Sequence, residues 1–277
     1  MDKHSRSVGY TQTANSAFEA ALAVRSASRD AAFIVPHLRS GMQLLDVGSG
    51  PGSITPGLAE IVAPGEVVGI DAQSKQIEQS RELASARGRT NVRFETADVY
   101  QLPFADATFD IVFAHAVFMH LREPARALVE LRRVLRPDGI AALRDPDITA
   151  SFRGPTTALL EQWRTVGSKV FRHNGGNPAV GRDYRRMLLD AGFARAEAGA
   201  SADSAGTAEE TFRKAEFFKA QARGCAHTAL ANGWTDQETV DAVLADLDRW
   251  GAVRIPSRSR SGARRLRGSA PEIWFET

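Results

Sequence analysis

The sequence predicts an α/β fold, a doubly wound and mostly parallel sheet with a helical cap. Short apolar segments alternate with segments of helical periodicity. Three successive apolar segments end in an aspartate, and the first of them runs directly into a glycine-rich turn at residues 48–52. The three aspartates are Asp46, Asp71 and Asp98. Because the carboxyl ends of parallel strands meet at one edge of a sheet, we expect these aspartates to share one ligand site.

The N-terminal part of the chain has amphipathic spacing over residues 14–38, which predicts one or two helices. Residues 1–40 are therefore assigned to a helical leader that caps the core. We expect Tyr10 and Arg25 either to line the site or to lie on the surface of this leader.

The first strand, Leu44 to Val47, breaks into the turn and leads to a helix from about residue 54 to residue 61. Glycines in such a turn allow positive φ and let a ligand approach the bare backbone. The following helix N-terminus offers N–H groups to an anionic ligand group. A phosphate-binding P-loop is excluded because no Gly-Lys-Ser/Thr follows. The dinucleotide fingerprint would need a glycine at Ser53 rather than at Gly52.

Four further strands are predicted at residues 67–71, 91–98, 109–115 and 140–145. A helix carrying Leu128, Leu131 and Leu135 at helical spacing precedes the last of these strands. The segment 136–139, Arg-Pro-Asp-Gly, is expected to end that helix.

The spacing Asp-x-Gly-x-Gly-x-Gly at residues 46–52 resembles motif I of the class I S-adenosylmethionine-dependent methyltransferases. Segments 102–104, 109–110 and 135–139 are similar to the branch that acts in ubiquinone and menaquinone biosynthesis. The resemblance covers residues 40–147 in unbroken order. It implies a Rossmann-like sheet of the seven-strand type, S-adenosylmethionine as cofactor and a small-molecule methyl acceptor.

The resemblance also implies roles for individual residues. The glycine turn would accommodate the methionyl end of the cofactor, Asp71 would accept the ribose hydroxyls, and Asp98 would bind the adenine amino group. The alternative, that the aspartates only cap turns, is weaker because three of them follow successive strands. The predicted cofactor-binding residues are Asp46, Gly48, Ser49, Gly50, Gly52, Asp71, Ala72, Gln76, Asp98, Val99 and His115.

Methyl transfer is an in-line displacement, so we expect proximity to be the main catalytic contribution. A general base helps only where the acceptor must lose a proton. The candidates are His115 after the fourth strand, and Asp145 and Asp147 after the fifth. Turn formation around Pro146 is an equally good interpretation of the two aspartates. No metal site is expected.

The rest of the chain is divided by pattern. Residues 41–148 form the S-adenosylmethionine-binding core, and residues 149–192 form a helical lid insertion with helices around Trp163 and over 180–191. Residues 193–250 are predicted to form a sixth strand at 193–200 and two helices. The two helices begin at capping boxes that start with Thr207 and Thr235. Residues 251–277 form a basic tail, interpreted as disordered or as the product of a shifted reading frame. The last antiparallel strand of the family's sheet is therefore in doubt.

The charge and composition of the chain indicate which classes of partner to expect. The tail has six arginines and two glutamates and therefore a net charge of +4. Because the whole chain has a net charge of +2, the remaining residues have a net charge of −2. This near-neutral body argues against a nucleic-acid partner. The alternatives left open are a nucleic-acid methyltransferase that uses the tail and a non-catalytic nucleotide-cofactor-binding protein. A single cysteine, Cys225, predicts a cytoplasmic location, and the lack of long apolar runs predicts that no segment spans a membrane. A monomer or homodimer is expected.

Overall fold

The computed structural model describes residues 22–150, 154–202 and 204–252. The predictions made for the first part of the leader, including Tyr10, and for the basic tail from residue 253 lie outside these residues.

Five parallel strands form the central sheet, in the spatial order β3-β2-β1-β4-β5. The strands are β1 Leu44–Val47, β2 Val67–Asp71, β3 Val92–Thr96, β4 Phe109–His115 and β5 Leu135–Arg144. The strand order reverses between β1 and β4, and ligands of such sheets bind outside the carboxyl ends at this reversal. The α/β class and the parallel sheet are confirmed.

Alternating side chains of the strands bury both faces of the sheet. Leu44 and Phe113 pack with Leu58 on one face, and Val112 packs with Leu128 on the other. The helices of the described residues are α1 Ala27–Asp30, α2 Thr55–Val62, α3 Ser74–Ala86, α4 Pro124–Val134, α5 Ala158–His173, α6 Tyr184–Asp190, α7 Ala208–Ala231 and α8 Gln237–Gly251. Short 3₁₀ turns lie at Val35–His37, Phe118–His120, Ile148–Ala150 and Val180–Asp183.

The prediction that the helix after β4 extends through Leu135 was wrong. Helix α4 ends at Val134, and Leu135 begins β5 with extended backbone (φ −76°, ψ 139°). Leu135 pairs with Phe109, whereas the next pair joins Ile111 to Ile140. The segment 136–139 is therefore an irregular part of β5, because the chain crosses to the sheet edge earlier than helical periodicity indicated.

The predicted sixth strand at residues 193–200 was also wrong. These residues lie beside the sheet without joining its ladder, so β5 is an edge strand within the described residues. Alanine occupies every second position from 194 to 202. Such small side chains pack little surface in a strand and have low β propensity.

Helices α5, α7 and α8 form a separate apolar cluster. Trp163 of α5 packs there with Cys225 of α7 and Leu247 of α8. The capping box at Thr207 is confirmed by reciprocal hydrogen bonds with Glu210. The second box was placed one residue early, because Asp236 rather than Thr235 accepts the Thr239 N–H at 2.7 Å.

In the leader, the described residues are helical at 22–23 and in α1, and a 3₁₀ turn lies at Val35–His37. Among residues 22–150, 154–202 and 204–252, no helix has the length and apolar character needed to cross a bilayer.

Candidate functional site

The glycine turn has three glycines with positive φ, and each has different surroundings. A Cβ on Gly48 (φ +67°) would lie 2.4 Å from Val117 Cγ2, and one on Gly52 (φ +77°) would lie 2.7 Å from Ser80 Cβ. A Cβ on Gly50 (φ +54°) would meet nothing closer than Gln76 Oε1 at 3.9 Å. Gly48 and Gly52 therefore allow close packing, while Gly50 presents open backbone to a ligand.

Asp71 lies at the end of β2, beside this open backbone. Its carboxylate accepts hydrogen bonds from the Gly50 N–H at 3.1 Å and from the Gln73 N–H at 2.9 Å. Burial raises the pKa of Asp71, although these backbone hydrogen bonds oppose the shift. A carboxylate has about four acceptor sites, so Asp71 keeps acceptor capacity for donors such as hydroxyls.

Asp46 lies behind the turn and is only 3% exposed. Thr55 Oγ1, in the first turn of α2, donates to its carboxylate at 2.7 Å. Burial raises the pKa of Asp46 to about 7; the Thr55 hydrogen bond opposes the shift and the nearby Asp71 charge adds to it. The enclosed carboxyl group thus links the end of β1 to the start of α2.

Asp98 and its neighbours lie at the carboxyl edge of the sheet, after β3. Asp71 pairs with Thr96 across the β2–β3 ladder, two residues before Asp98. Asp98 is exposed and accepts the Tyr100 N–H at 2.9 Å, whereas Ala72 is exposed and Val99 buried. Strands β1, β2 and β3 are neighbours, so Asp71 and Asp98 follow adjacent strands at one edge of the sheet. One ligand of nucleoside size suits these two residues, whereas the Asp46 carboxyl group is enclosed behind the turn.

Four polar atoms around the edge are buried and have no hydrogen-bond partner within the described residues. They are Ser49 Oγ, Ser53 Oγ, Gln76 Oε1 and His115 Nδ1. Buried polar atoms in folded proteins nearly always have a partner. These atoms therefore fit a ligand that carries both donors and acceptors.

His115 ends β4, and its backbone pairs with that of Arg144 on β5. Burial, followed by the positive charges of Arg25 and Arg144, lowers the pKa of His115 to about 3. The imidazole is therefore neutral near pH 7 and a weak base. The next residue, Ala116, has φ +59°, an uncommon conformation for a residue other than glycine.

Asp145 is half-buried, and both of its carboxylate oxygens accept hydrogen bonds. The Met119 N–H donates to Oδ1 at 3.0 Å, and the Tyr184 hydroxyl donates to Oδ2. Burial raises the pKa of Asp145 to about 7, while the Tyr184 and Met119 hydrogen bonds oppose the shift. The hydrogen bonds of this carboxyl group go to protein atoms, although Asp145 also lines a cleft.

Asp147 accepts hydrogen bonds from the backbone and hydroxyl of Thr149 and from Arg182 Nε at 2.7 Å. Although burial raises the pKa of Asp147, the hydrogen bonds from Thr149 and Arg182 keep it below the ordinary value. Asp147 thus forms a turn with Thr149 and is hydrogen-bonded to Arg182 of the insertion 149–192. These contacts match the turn-forming interpretation made from the sequence.

Two residues of the site had no role in the sequence-based predictions. Thr55 could have been found from its position in the first helical turn after an acid-ended strand. Tyr184 lies in the lid helix predicted over residues 180–191, but it was given no role there. A buried tyrosine hydroxyl needs a hydrogen-bond partner, and this was the available signal.

A cleft of about 3630 Å³ begins at the carboxyl ends of β4 and β5 and follows the free edge of β5. His115 and Arg144 line it at one end, and residues 193–202 line its far wall. The glycine turn is not part of its lining. The cleft therefore adjoins, on the side of β4, the edge formed by the carboxyl ends of β1, β2 and β3.

Comparisons with known proteins agree with this geometry. A family model described as a methyltransferase domain matches residues 38–192. An uncharacterized methyltransferase of Schizosaccharomyces pombe is 30% identical over 220 residues, which cover 77% of this chain and 79% of that protein. The ubiquinone/menaquinone biosynthesis C-methyltransferase UbiE of Idiomarina loihiensis is 33% identical over 127 residues, covering 45% of this chain and 48% of the relative.

A candidate methyltransferase of Bacillus halodurans, solved as a crystal structure, matches with a TM-score of 0.54 at 20% identity. The match covers 78% of this chain and 88% of that one. This likeness concerns the fold alone. The chain spans about half the length, or less, of other curated relatives that it matches.

Proposed function

Since the chain belongs to the class I S-adenosylmethionine-dependent methyltransferases, we propose that it methylates a small-molecule acceptor by in-line displacement. The observation that carries the proposal is the shared edge of β1, β2 and β3. There the open backbone of Gly50, the carboxylate of Asp71 and unpaired buried polar atoms lie together.

The residues of this edge fit the cofactor. Asp71 would accept the ribose hydroxyls, and Asp98 would accept the adenine amino group. The unpaired Ser49 and Ser53 hydroxyls suit the methionyl carboxylate, and Gln76 Oε1 suits a donor such as the ammonium. When bound, the cofactor supplies a methyl group on a sulfonium, which is already an activated leaving group.

The small-molecule acceptor is supported by three observations. A cleft lined by His115 and Arg144 adjoins the carboxyl end of β4. The segment after β4 reads His115-Ala116-Val117-Phe118, without the Asn/Asp-Pro-Pro-aromatic turn of exocyclic amine methylases. The UbiE relative, by its name, acts in quinone biosynthesis.

Orientation is the main catalytic effect in this proposal. Holding two reactants in line contributes up to about 7–11 kcal/mol. Neither His115, whose pKa is lowered to about 3, nor the hydrogen-bonded Asp145 is a strong candidate for a base. His115 would instead contact the acceptor through its unpaired Nδ1.

Calorimetry with S-adenosylmethionine, S-adenosylhomocysteine and NAD tests the cofactor assignment. We expect the first two to bind and NAD not to bind. Small-molecule extracts incubated with isotope-labelled cofactor should then yield a labelled product for mass analysis. Binding of NAD alone, or binding to nucleic acid that falls steeply with salt, would replace this proposal by one of its alternatives. Cytoplasmic location and a monomeric or homodimeric state remain predictions.

A further inference from the structure

We infer that Tyr184 and Asp145 are positioning residues, which hold the segment 116–121 after β4 against the glycine turn and so set the cofactor site. The inference rests on the proposed function, because it concerns the same cofactor edge. It assigns Asp145 a role that differs from that of a general base.

The first step is the hydrogen bonding of Asp145. Its two oxygens join an N–H of the segment, that of Met119 at 3.0 Å, to the hydroxyl of Tyr184 on α6. The Tyr184 ring also packs edge-on against Phe118, with ring centroids 5.9 Å apart. Because Tyr184 is 7% exposed, the hydroxyl has little access to water as an alternative partner.

The lid holds the same segment from a second direction. The Asn177 N–H donates to the Met119 carbonyl oxygen at 2.9 Å. A Cβ on Gly176 would lie 2.3 Å from that oxygen, so the lid backbone approaches closely. His120 stacks on Phe171 of α5 with ring centroids 5.3 Å apart. Both backbone groups of Met119 are thus fixed by contacts outside the segment.

The segment in turn contacts the glycine turn. Val117 Cγ2 lies where a side chain at Gly48 would be, 2.4 Å from the position of a Cβ. Ala116 is held at φ +59°, and its N–H donates to the Arg144 carbonyl at 2.8 Å. Such a conformation costs free energy and persists only where the surroundings determine it. The contacts therefore run without a gap from Tyr184 through Asp145 and residues 116–121 to Gly48.

Calorimetric titration of S-adenosylhomocysteine into four variants tests the inference. Tyr184→Phe keeps the ring but loses one hydrogen bond, and Asp145→Ala loses both. We expect dissociation constants raised by about three- to tenfold and by more than about tenfold, respectively. Asp145→Asn retains both contacts with the second one reversed, because its Oδ1 accepts the Met119 N–H and its Nδ2 donates to the Tyr184 oxygen. Its dissociation constant should lie closer to the wild-type value than that of Asp145→Ala.

Arg182→Gln is the matched control, since the Arg182 side chain donates hydrogen bonds to Asp147 and Thr149 rather than to Asp145 or the segment. Its affinity should match that of the wild type. Circular dichroism of each ligand-free variant checks the fold. Should Asp145→Ala fail to fold, Tyr184→Phe still decides the question.

The inference is overturned if Tyr184→Phe and Asp145→Ala bind as the wild type does, or if Asp145→Asn is as weak as Asp145→Ala. Failure of the wild-type protein to bind S-adenosylhomocysteine would instead reject the proposed function. Once an acceptor is known, a loss of kcat by about 10²-fold or more in Asp145→Asn, with unchanged affinity, would restore the general-base role.

Discussion

At the scale of single residues, the carboxyl groups near the sheet edge differ in what surrounds them. Asp46 is enclosed and bound by Thr55, whereas Asp71 keeps acceptor capacity beside open backbone. Asp145 and Asp147 are occupied by groups of the protein itself. The same residue type therefore serves as a link between elements, as a ligand contact or as a turn former, according to its neighbours.

Asp71→Ala should weaken cofactor binding by about tenfold, since two charge-assisted hydrogen bonds are lost. Calorimetry with S-adenosylmethionine measures this effect. Asp190→Ala, at an exposed acid of α6 that pairs with Arg186, is the control and should bind normally. Equal dissociation constants for the two variants would reject the ribose-binding role.

Asp46 should make stability depend on pH. Its pKa in the folded protein is raised from 3.8 to about 7, so folding favours the protonated form. Its stabilising contribution is complete below about pH 4 and is lost as the pH rises through about 7. Urea unfolding at several pH values should show a smaller decline between pH 5 and pH 8 in Asp46→Asn than in the wild type. Identical slopes would contradict the assigned pKa shift.

At the scale of elements, the glycine turn and β5 show how local sequence and packing combine. The turn is defined by glycines whose φ values are positive. Strand β5 is defined instead by its partner, because Leu135 continues the apolar spacing of α4 and yet pairs with Phe109. Helical periodicity cannot distinguish the last residue of a helix from the first residue of a buried strand.

Two glycines of the turn should respond differently to alanine. Gly48→Ala forces both a positive φ and an overlap with Val117, so we expect a loss of stability of about 2–4 kcal/mol. Gly50→Ala meets open space and should cost about 1–2 kcal/mol while weakening S-adenosylmethionine binding. Chemical denaturation and calorimetry separate the two effects. A Gly50→Ala protein with normal affinity would argue against a ligand at this backbone.

At the scale of the whole molecule, the sheet and the cluster of α5, α7 and α8 have distinct apolar cores. The sheet core contains residues from both sides of the strands, whereas the helical cluster is built around Trp163, Cys225 and Leu247. Lid residues Phe171 and Tyr184 belong to the sheet core. The lid therefore connects the cluster to the cofactor edge.

Leu247→Ala should lower the free energy of unfolding by about 2–5 kcal/mol, because Leu247 is 2% exposed and its loss leaves a cavity. The affinity for S-adenosylhomocysteine should remain within about twofold of the wild-type value, since Leu247 packs in the cluster of α5, α7 and α8 and belongs to a different apolar core from Tyr184 and Phe118. Urea unfolding and calorimetry measure the two quantities. A large loss of affinity in a folded Leu247→Ala protein would mean that the cluster itself shapes the cofactor site.

The sequence by itself determined the strands β1 to β4, the glycine turn and the aspartates that follow the first three strands. These features depend on local apolar runs and on glycine spacing, which a single sequence displays directly. Only the tertiary structure decided where β5 begins, that no strand forms at residues 193–200, and what Asp145 contacts. The Tyr184 and Met119 groups that bind Asp145 lie 39 and 26 positions away along the chain. Such partners are chosen by packing between elements, and no local pattern encodes them.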